Sequence, residues 1–205
     1  MADSELKLTI PEGNFAGYIF DCDGTLIDSM PVHFRAWDEA LRRLGNPAPL
    51  SEDLFYSFGG VPTSKVAELF IDHHGLAADP QELFHLKEAL FVSMLAQVQL
   101  IVPVVEFART VSRTHPVSVA SGGPREVVVL SLELSGLSEL FPIVITAEDV
   151  VHGKPAPDMF LLAAERMGVT PGKCLVFEDA EPGVQAAHAA GMQVVRVPSR
   201  SRSAR

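Results

Sequence analysis

The chain has 205 residues, 47% of them hydrophobic, a formal net charge of −10 and two cysteines, Cys22 and Cys174. That length accommodates one large domain or a domain carrying an insertion, and the apolar content supplies a real core, which excludes a disordered chain. The acidic balance argues against non-specific nucleic-acid binding, which needs a basic footprint, so any anionic substrate would have to be held by a local site.

Each cysteine lies in an apolar strand-like run rather than in a spaced framework, as expected of small buried residues in a reducing compartment. The N-terminus, Met1-Ala2-Asp3-Ser4-Glu5, lacks the basic flank and apolar core of a signal peptide, and no apolar stretch approaches membrane-spanning length. A cytoplasmic protein with neither nucleic acid nor membrane as partner is expected.

Residues 1–14 read as a loose arm, followed by a strand over 17–20 that runs directly into Asp21-Cys22-Asp23-Gly24-Thr25. Two carboxylates at i and i+2 of an extended chain point the same way, so both acids are expected at one pocket. Held that close they repel unless a cation relieves them, and Mg²⁺ is the usual hard cation for such a pair. Over residues 31–44 the positions Val32, Phe34, Trp37, Ala40, Leu41 and Leu44 recur at helical spacing, with Gly45 as a stop. Further helical patterns cover 51–58, 62–74 and 80–98, the last opened by Asp79 as N-cap, Pro80 and a capping-box acid, Glu82.

Beyond residue 98 the texture alternates. Helices are expected at 103–111, 124–134, 158–167 and 181–190, and strands at 117–120, 143–145, 174–177 and 193–197. Alternation of this kind implies right-handed crossovers and a parallel sheet covered on both faces. The predicted fold is therefore α/β: a doubly wound, parallel, five-stranded Rossmann-like core of residues 15–28 plus 100–198. An all-helical module of residues 30–98 is inserted after the first strand, and residues 1–14 and 199–205 are flexible ends. Segments 26–31 and 100–103 would join the two parts as a hinge, making the helical module a candidate lid.

Four strand ends then carry polar residues: Asp21/Asp23, Ser121-Gly122, the loop leading to His152-Gly153-Lys154-Pro155, and Glu178/Asp179. In a parallel sheet these share one edge, where ligands bind. Asp21 and Asp179, with a backbone carbonyl near Asp23, would ligate Mg²⁺; Ser121, the adjacent amides and Lys154 would hold phosphate oxygens. Each residue alone has a blander reading. Asp-Gly is a common turn, a lone lysine is usually solvated, and Glu178-Asp179 would serve as helix-capping acids. The ordered set of four favours a site. A cysteine phosphatase is disfavoured, because Asp28 stands where an arginine six residues after Cys22 would be needed. His73 and His74 are adjacent on a helix and do not face together. Trp37 reads as core, and His33, one turn earlier, divides evenly between pocket lining and packing.

The order Asp-x-Asp-Gly-Thr-Leu, serine after an apolar strand, Lys-Pro-x-Pro-Asp, and Glu-Asp after an apolar strand resembles the haloacid dehalogenase-like hydrolase superfamily. Ile27-Asp28-Ser29, His33 and Trp37, with Lys154 to Asp158, resemble its helical-cap branch, which includes β-phosphoglucomutase. Met167-Gly168-Val169 and Val176 to Ala180 extend the likeness to the fructose-1-phosphate and 6-phosphogluconate phosphatase type. The resemblance implies a Mg²⁺-dependent phosphatase of a small phosphorylated metabolite, a sugar or polyol phosphate, working as a monomer or weak homo-oligomer.

By that resemblance Asp21 is the nucleophile that forms an aspartyl-phosphate, and Asp23 is the acid and then the base. Ser121 and Lys154 stabilise the transferring phosphoryl group; Gly24, Thr25 and Gly122 add to phosphate binding, and His33 lines the substrate pocket. Asp21, Asp23, Glu178 and Asp179 form the metal set, Asp179 directly and Glu178 through the metal's waters. The alternatives are a sugar phosphomutase and a non-catalytic metabolite-binding regulator. The mutase pattern has a basic pair where Gly59 and Thr63 stand here, with Lys65 the one nearby cation, and sugar phosphatases often carry an acid where Met30 stands.

Overall fold

The computed structural model describes residues 6–58 and 61–198. Gly59, the tail at 199–205 and the first five residues of the expected arm lie outside the described residues. In chain order the elements are β1 (Gly17–Phe20), β2 (Ile27–Asp28), α1 (Met30–Arg43), α2 (Glu52–Ser57), α3 (Thr63–His74) and α4 (Pro80–Met94). There follow β3 (Gln99–Leu100), α5 (Val102–Val111), β4 (Val117–Ala120), α6 (Arg125–Leu134), β5 (Ile143–Ile145), α7 (Asp158–Met167), β6 (Cys174–Glu178), α8 (Glu181–Ala189) and β7 (Gln193–Arg196). The chain divides into two compact units, one running up to Asp28 and resuming at Gln99, the other Ser29–Val98.

In the first unit the strand order is β5-β4-β1-β6-β7, with every neighbouring pair parallel. The expected α/β sheet is present. β1, β4 and β6 are buried along their whole lengths, as near-continuous apolar strands must be when helices cover both faces. The pleat sorts their side chains. Ile19, Cys174 and Val176 pack with Met159, Phe160 and Ala163 of α7 and Ala186 and Ala187 of α8. Phe20 stacks on Phe177 at 4.7 Å, and Phe177 meets Phe107 of α5 at 4.9 Å. From β1 the chain winds outward through β4 and β5, then returns to the other side of β1 for β6 and β7. The strand order thus reverses between β1 and β6, and the crevice at their carboxyl ends is where such sheets bind ligands.

In the second unit α4 packs on α1 and α3. Ser51 caps α2 by accepting from Leu54 N, Asp79 caps α4 by accepting from Gln81 N, and Gly75 closes α3 in the left-handed conformation at φ 60°. Trp37 is buried against Phe70, as its place on the apolar stripe predicts.

Two expectations need correction. The helix expected over 80–98 ends at Met94 and passes through a 3₁₀ turn, Leu95–Gln97, because Val98 is already extended. Around the segments 26–31 and 100–103, expected to act as a hinge, lie two short strands not expected from the sequence, β2 and β3, which pair antiparallel as Ile27↔Leu100 and Asp28↔Gln99. Ile101 N adds a bond to Leu26 O at 2.9 Å. Two-residue strands are too short to leave a periodic signal, and only the meeting of distant segments creates them. No helix among the described residues is long and apolar enough to cross a membrane.

Candidate active site

Asp21 is the first residue after β1, and its N–H donates to Phe177 O at 3.0 Å, extending the β1–β6 ladder by one step. The chain then folds back around the Cys22 carbonyl, which accepts from Leu26 N (2.9 Å) and Ile27 N (3.1 Å), while Gly24 N donates to Ile27 O (2.8 Å). Gly24 takes φ +85°, a conformation that costs a residue with a β-carbon. Cys22 is fully buried and unoxidised, as is Cys174, and burial pushes its thiol well above the ordinary range.

The two acids at i and i+2 meet different neighbours. Asp21 is turned to Lys154, whose Nζ donates to its Oδ1 at 2.6 Å. The Asp23 carboxylate comes within 4.0 Å of where a β-carbon on Gly123 would stand, beside the loop after β4. In that loop Ser121 N donates to Ile145 O at 2.9 Å, and Ser121 Oγ accepts from Gly123 N at 3.2 Å, a turn that leads Gly122 and Gly123 into α6.

Lys154 also donates to Ala120 O at 3.0 Å and Glu178 Oε1 at 2.7 Å. All three ammonium protons thus end on named acceptors. Glu178, the buried last residue of β6, accepts from Ala180 N with its other oxygen at 2.7 Å. Asp179 follows, lying against Gly24 and accepting from Thr25 Oγ1 at 3.4 Å.

One carboxylate oxygen each from Asp21, Glu178 and Asp179 lies within 4.8 Å of the others. Three acids crowd one lysine. Burial first, then Glu178 and Asp179, push the Asp21 carboxyl well above its usual range against the pull of Lys154. Burial, then Glu178, carries Asp179 up to about 7. Burial acts to lower Lys154, but Asp21 and Glu178 outweigh it and hold it firmly protonated. A hard divalent cation fits this all-oxygen donor set and would relieve its excess negative charge. Asp23, expected to serve the metal through a backbone carbonyl, keeps its carboxylate outside this cluster and near Gly123 of the loop after β4.

His152 is an exposed partner of Asp158, at 3.1 Å. His33 belongs to the other unit, where its ring stacks on Phe91 with centroids 3.8 Å apart and planes within 3°. Sequence reasoning missed the backbone members of the site, Ala120 O and Ala180 N, which no side-chain pattern advertises. It also missed Lys87 in the helical unit, 1% exposed, paired with Glu88 at 2.9 Å and lying over the Trp37 and Phe91 rings. Its place on the inward stripe with Leu83, Leu90 and Phe91 was the available signal.

A doubly wound sheet with acids and a triply bonded lysine at its strand-order reversal defines a class of α/β enzyme whose chemistry sits at the carboxyl edge. The chain belongs to the haloacid dehalogenase-like hydrolase family, whose model matches residues 15–191. It is 40% identical over 185 residues to the fructose-1-phosphate phosphatase YqaB of Escherichia coli, covering 89% of this chain and 96% of that protein. It is 32% identical over 185 residues to hexitol phosphatase A of the same organism, covering 88% and 82%. Among solved structures it superposes on a family IA, variant 3 HAD hydrolase from Entamoeba histolytica with a TM-score of 0.77 at 28% identity, covering 87% and 82% of the two chains.

Proposed function

We propose that this protein is a phosphoric monoester hydrolase that removes phosphate from a phosphorylated sugar or polyol through an aspartyl-phosphate on Asp21. The observation that carries the reading is the division of the two acids: Asp21 bound to the Lys154 ammonium, Asp23 beside the Ser121–Gly123 loop. The names of two relatives, a fructose-1-phosphate phosphatase and a hexitol phosphatase, support the substrate class.

In this reading an Asp21 oxygen attacks phosphorus, and Asp23 gives its proton to the departing alkoxide. Asp23 then takes a proton from the water that cleaves the acyl phosphate. Lys154 holds Asp21 in place and offsets charge as the phosphoryl group arrives. Ser121, Gly122, Gly24 and Thr25 form the phosphate cradle. Mg²⁺, held by Asp21, Asp179 and the carbonyl at Asp23, with Glu178 behind its waters, would supply electrostatic stabilisation of the transferring group. Residues 15–28 plus 100–198 form the catalytic core, and residues 30–98 are the helical cap.

The test is phosphate release from a panel of phosphorylated sugars and polyols, with and without Mg²⁺, for the wild type and Asp21→Asn. Mg²⁺-dependent release that Asp21→Asn abolishes is expected. An Asp21→Asn protein of full activity, or a wild type that releases nothing, overturns the mechanism. Interconversion of sugar phosphates without net release would make the enzyme a mutase.

A further inference from the structure

Glu178 reaches Lys154 only because Gly183 has no side chain. A β-carbon built on Gly183 would stand 1.8 Å from Glu178 Oε1, 2.0 Å from Cδ and 2.6 Å from Cγ. These are overlaps with the carboxylate itself, inside a buried region from which Glu178 cannot swing to solvent. Gly183 lies in the first turn of α8 and is helical, a conformation any L-residue adopts, so backbone freedom does not explain the glycine. Alanine is the better helix former there. Space for the carboxylate is the feature that alanine would remove.

We infer that Gly183 is a positioning residue: it forms the socket that seats Glu178 against α8, and through Glu178 it sets where the Lys154 ammonium stands relative to Asp21. The chain of contact is continuous. Gly183 admits the Glu178 carboxylate; one Glu178 oxygen is fixed by Ala180 N at 2.7 Å and the other takes Lys154 Nζ at 2.7 Å; the same Nζ meets Asp21 Oδ1 at 2.6 Å. Gly24 makes the matching socket for Asp179, where a β-carbon would stand 2.3 Å from Oδ2. The left-handed conformation of Gly24 confounds its substitution, which makes Gly183 the cleaner probe. This inference rests on the phosphatase reading only for its kinetic consequence.

The experiment compares wild type, Gly183→Ala, Glu178→Asp and the double variant. Thermal melts establish folding, the acetylation rate of Lys154 under acetic anhydride is read by mass spectrometry, and kcat and KM are measured on p-nitrophenyl phosphate. Gly183→Ala is expected to speed Lys154 acetylation about tenfold, the worth of a lost hydrogen bond to a charged group. Its kcat should fall on the order of 100-fold, as for a misplaced catalytic group, with KM near the wild-type value. An aspartate keeps its carboxyl carbon about where Glu178 Cγ stands, 2.6 Å from the new β-carbon, and draws back from Lys154, so both changes break one contact and the double variant should be no worse than the poorer single variant. A folded Gly183→Ala with wild-type Lys154 protection overturns the inference. So does a double variant whose losses multiply those of the two single variants, which would mark a plain helix defect. A wild type inactive on every phosphate ester would sink the phosphatase reading, while the acetylation arm would still decide the socket.

Discussion

Lys154 Nζ stands 2.6 Å from Asp21 Oδ1 and 2.7 Å from Glu178 Oε1, one cation bridging the end of β1 and the end of β6. The two strands are neighbours in space but separated by most of the chain, and the lysine comes from a third segment, the loop before α7.

Removing that cation leaves two buried carboxylates facing each other. Lys154→Met should cost about 3–5 kcal/mol, the usual penalty for stranding a buried charge, and lower kcat by on the order of 10²–10³. The unpaired acids escape by binding protons at low pH. Stability measured by urea melts should therefore fall short of wild type by more at pH 8 than at pH 5; an equal deficit at both would argue against a buried charge pair.

Asp179 has its carboxyl raised from 3.8 to about 7 by burial and by Glu178. An acid raised by folding contributes stability below its unfolded pKa, and that contribution is lost as pH climbs toward 7. A bound divalent cation must displace the proton. Addition of Mg²⁺ should accordingly raise the melting temperature more at pH 8 than at pH 6, and an Asp179→Asn protein should lose the response.

At Gly24 two penalties coincide, the φ of +85° and the Asp179 carboxylate 2.3 Å from any β-carbon. Gly24→Ala should destabilise by at least ~1–2 kcal/mol from the backbone alone. Calorimetric Mg²⁺ titration should show weakened binding, because Asp179 must move.

In the helical unit, Lys87→Met strands Glu88, which keeps one oxygen buried without a hydrogen-bond partner even in the wild type. A loss of about 3–5 kcal/mol is expected. Replacing Glu88 by Leu in the same chain should restore most of it, and a double variant as unstable as Lys87→Met would assign the loss to the missing lysine stem instead.

The alternation of strands and helices was legible from composition, because runs such as Tyr18-Ile19-Phe20 and Leu175-Val176-Phe177 announce buried strands on their own. Asp21, Ser121 and Asp179 could likewise be put at strand ends, since an apolar run that stops at a polar residue needs no tertiary information to be read, and Lys154 stood out by its flanking prolines, Pro155 and Pro157. What those residues touch came from the packing of distant segments, the three-dimensional fold. It turned Asp21 to Lys154 and set Asp23 near Gly123, gave Lys154 its third acceptor in a backbone oxygen, and stacked His33 on Phe91. It paired β2 with β3 across the length of the helical unit. Each of these depends on segments remote in sequence meeting in space, and local periodicity carries no record of such meetings.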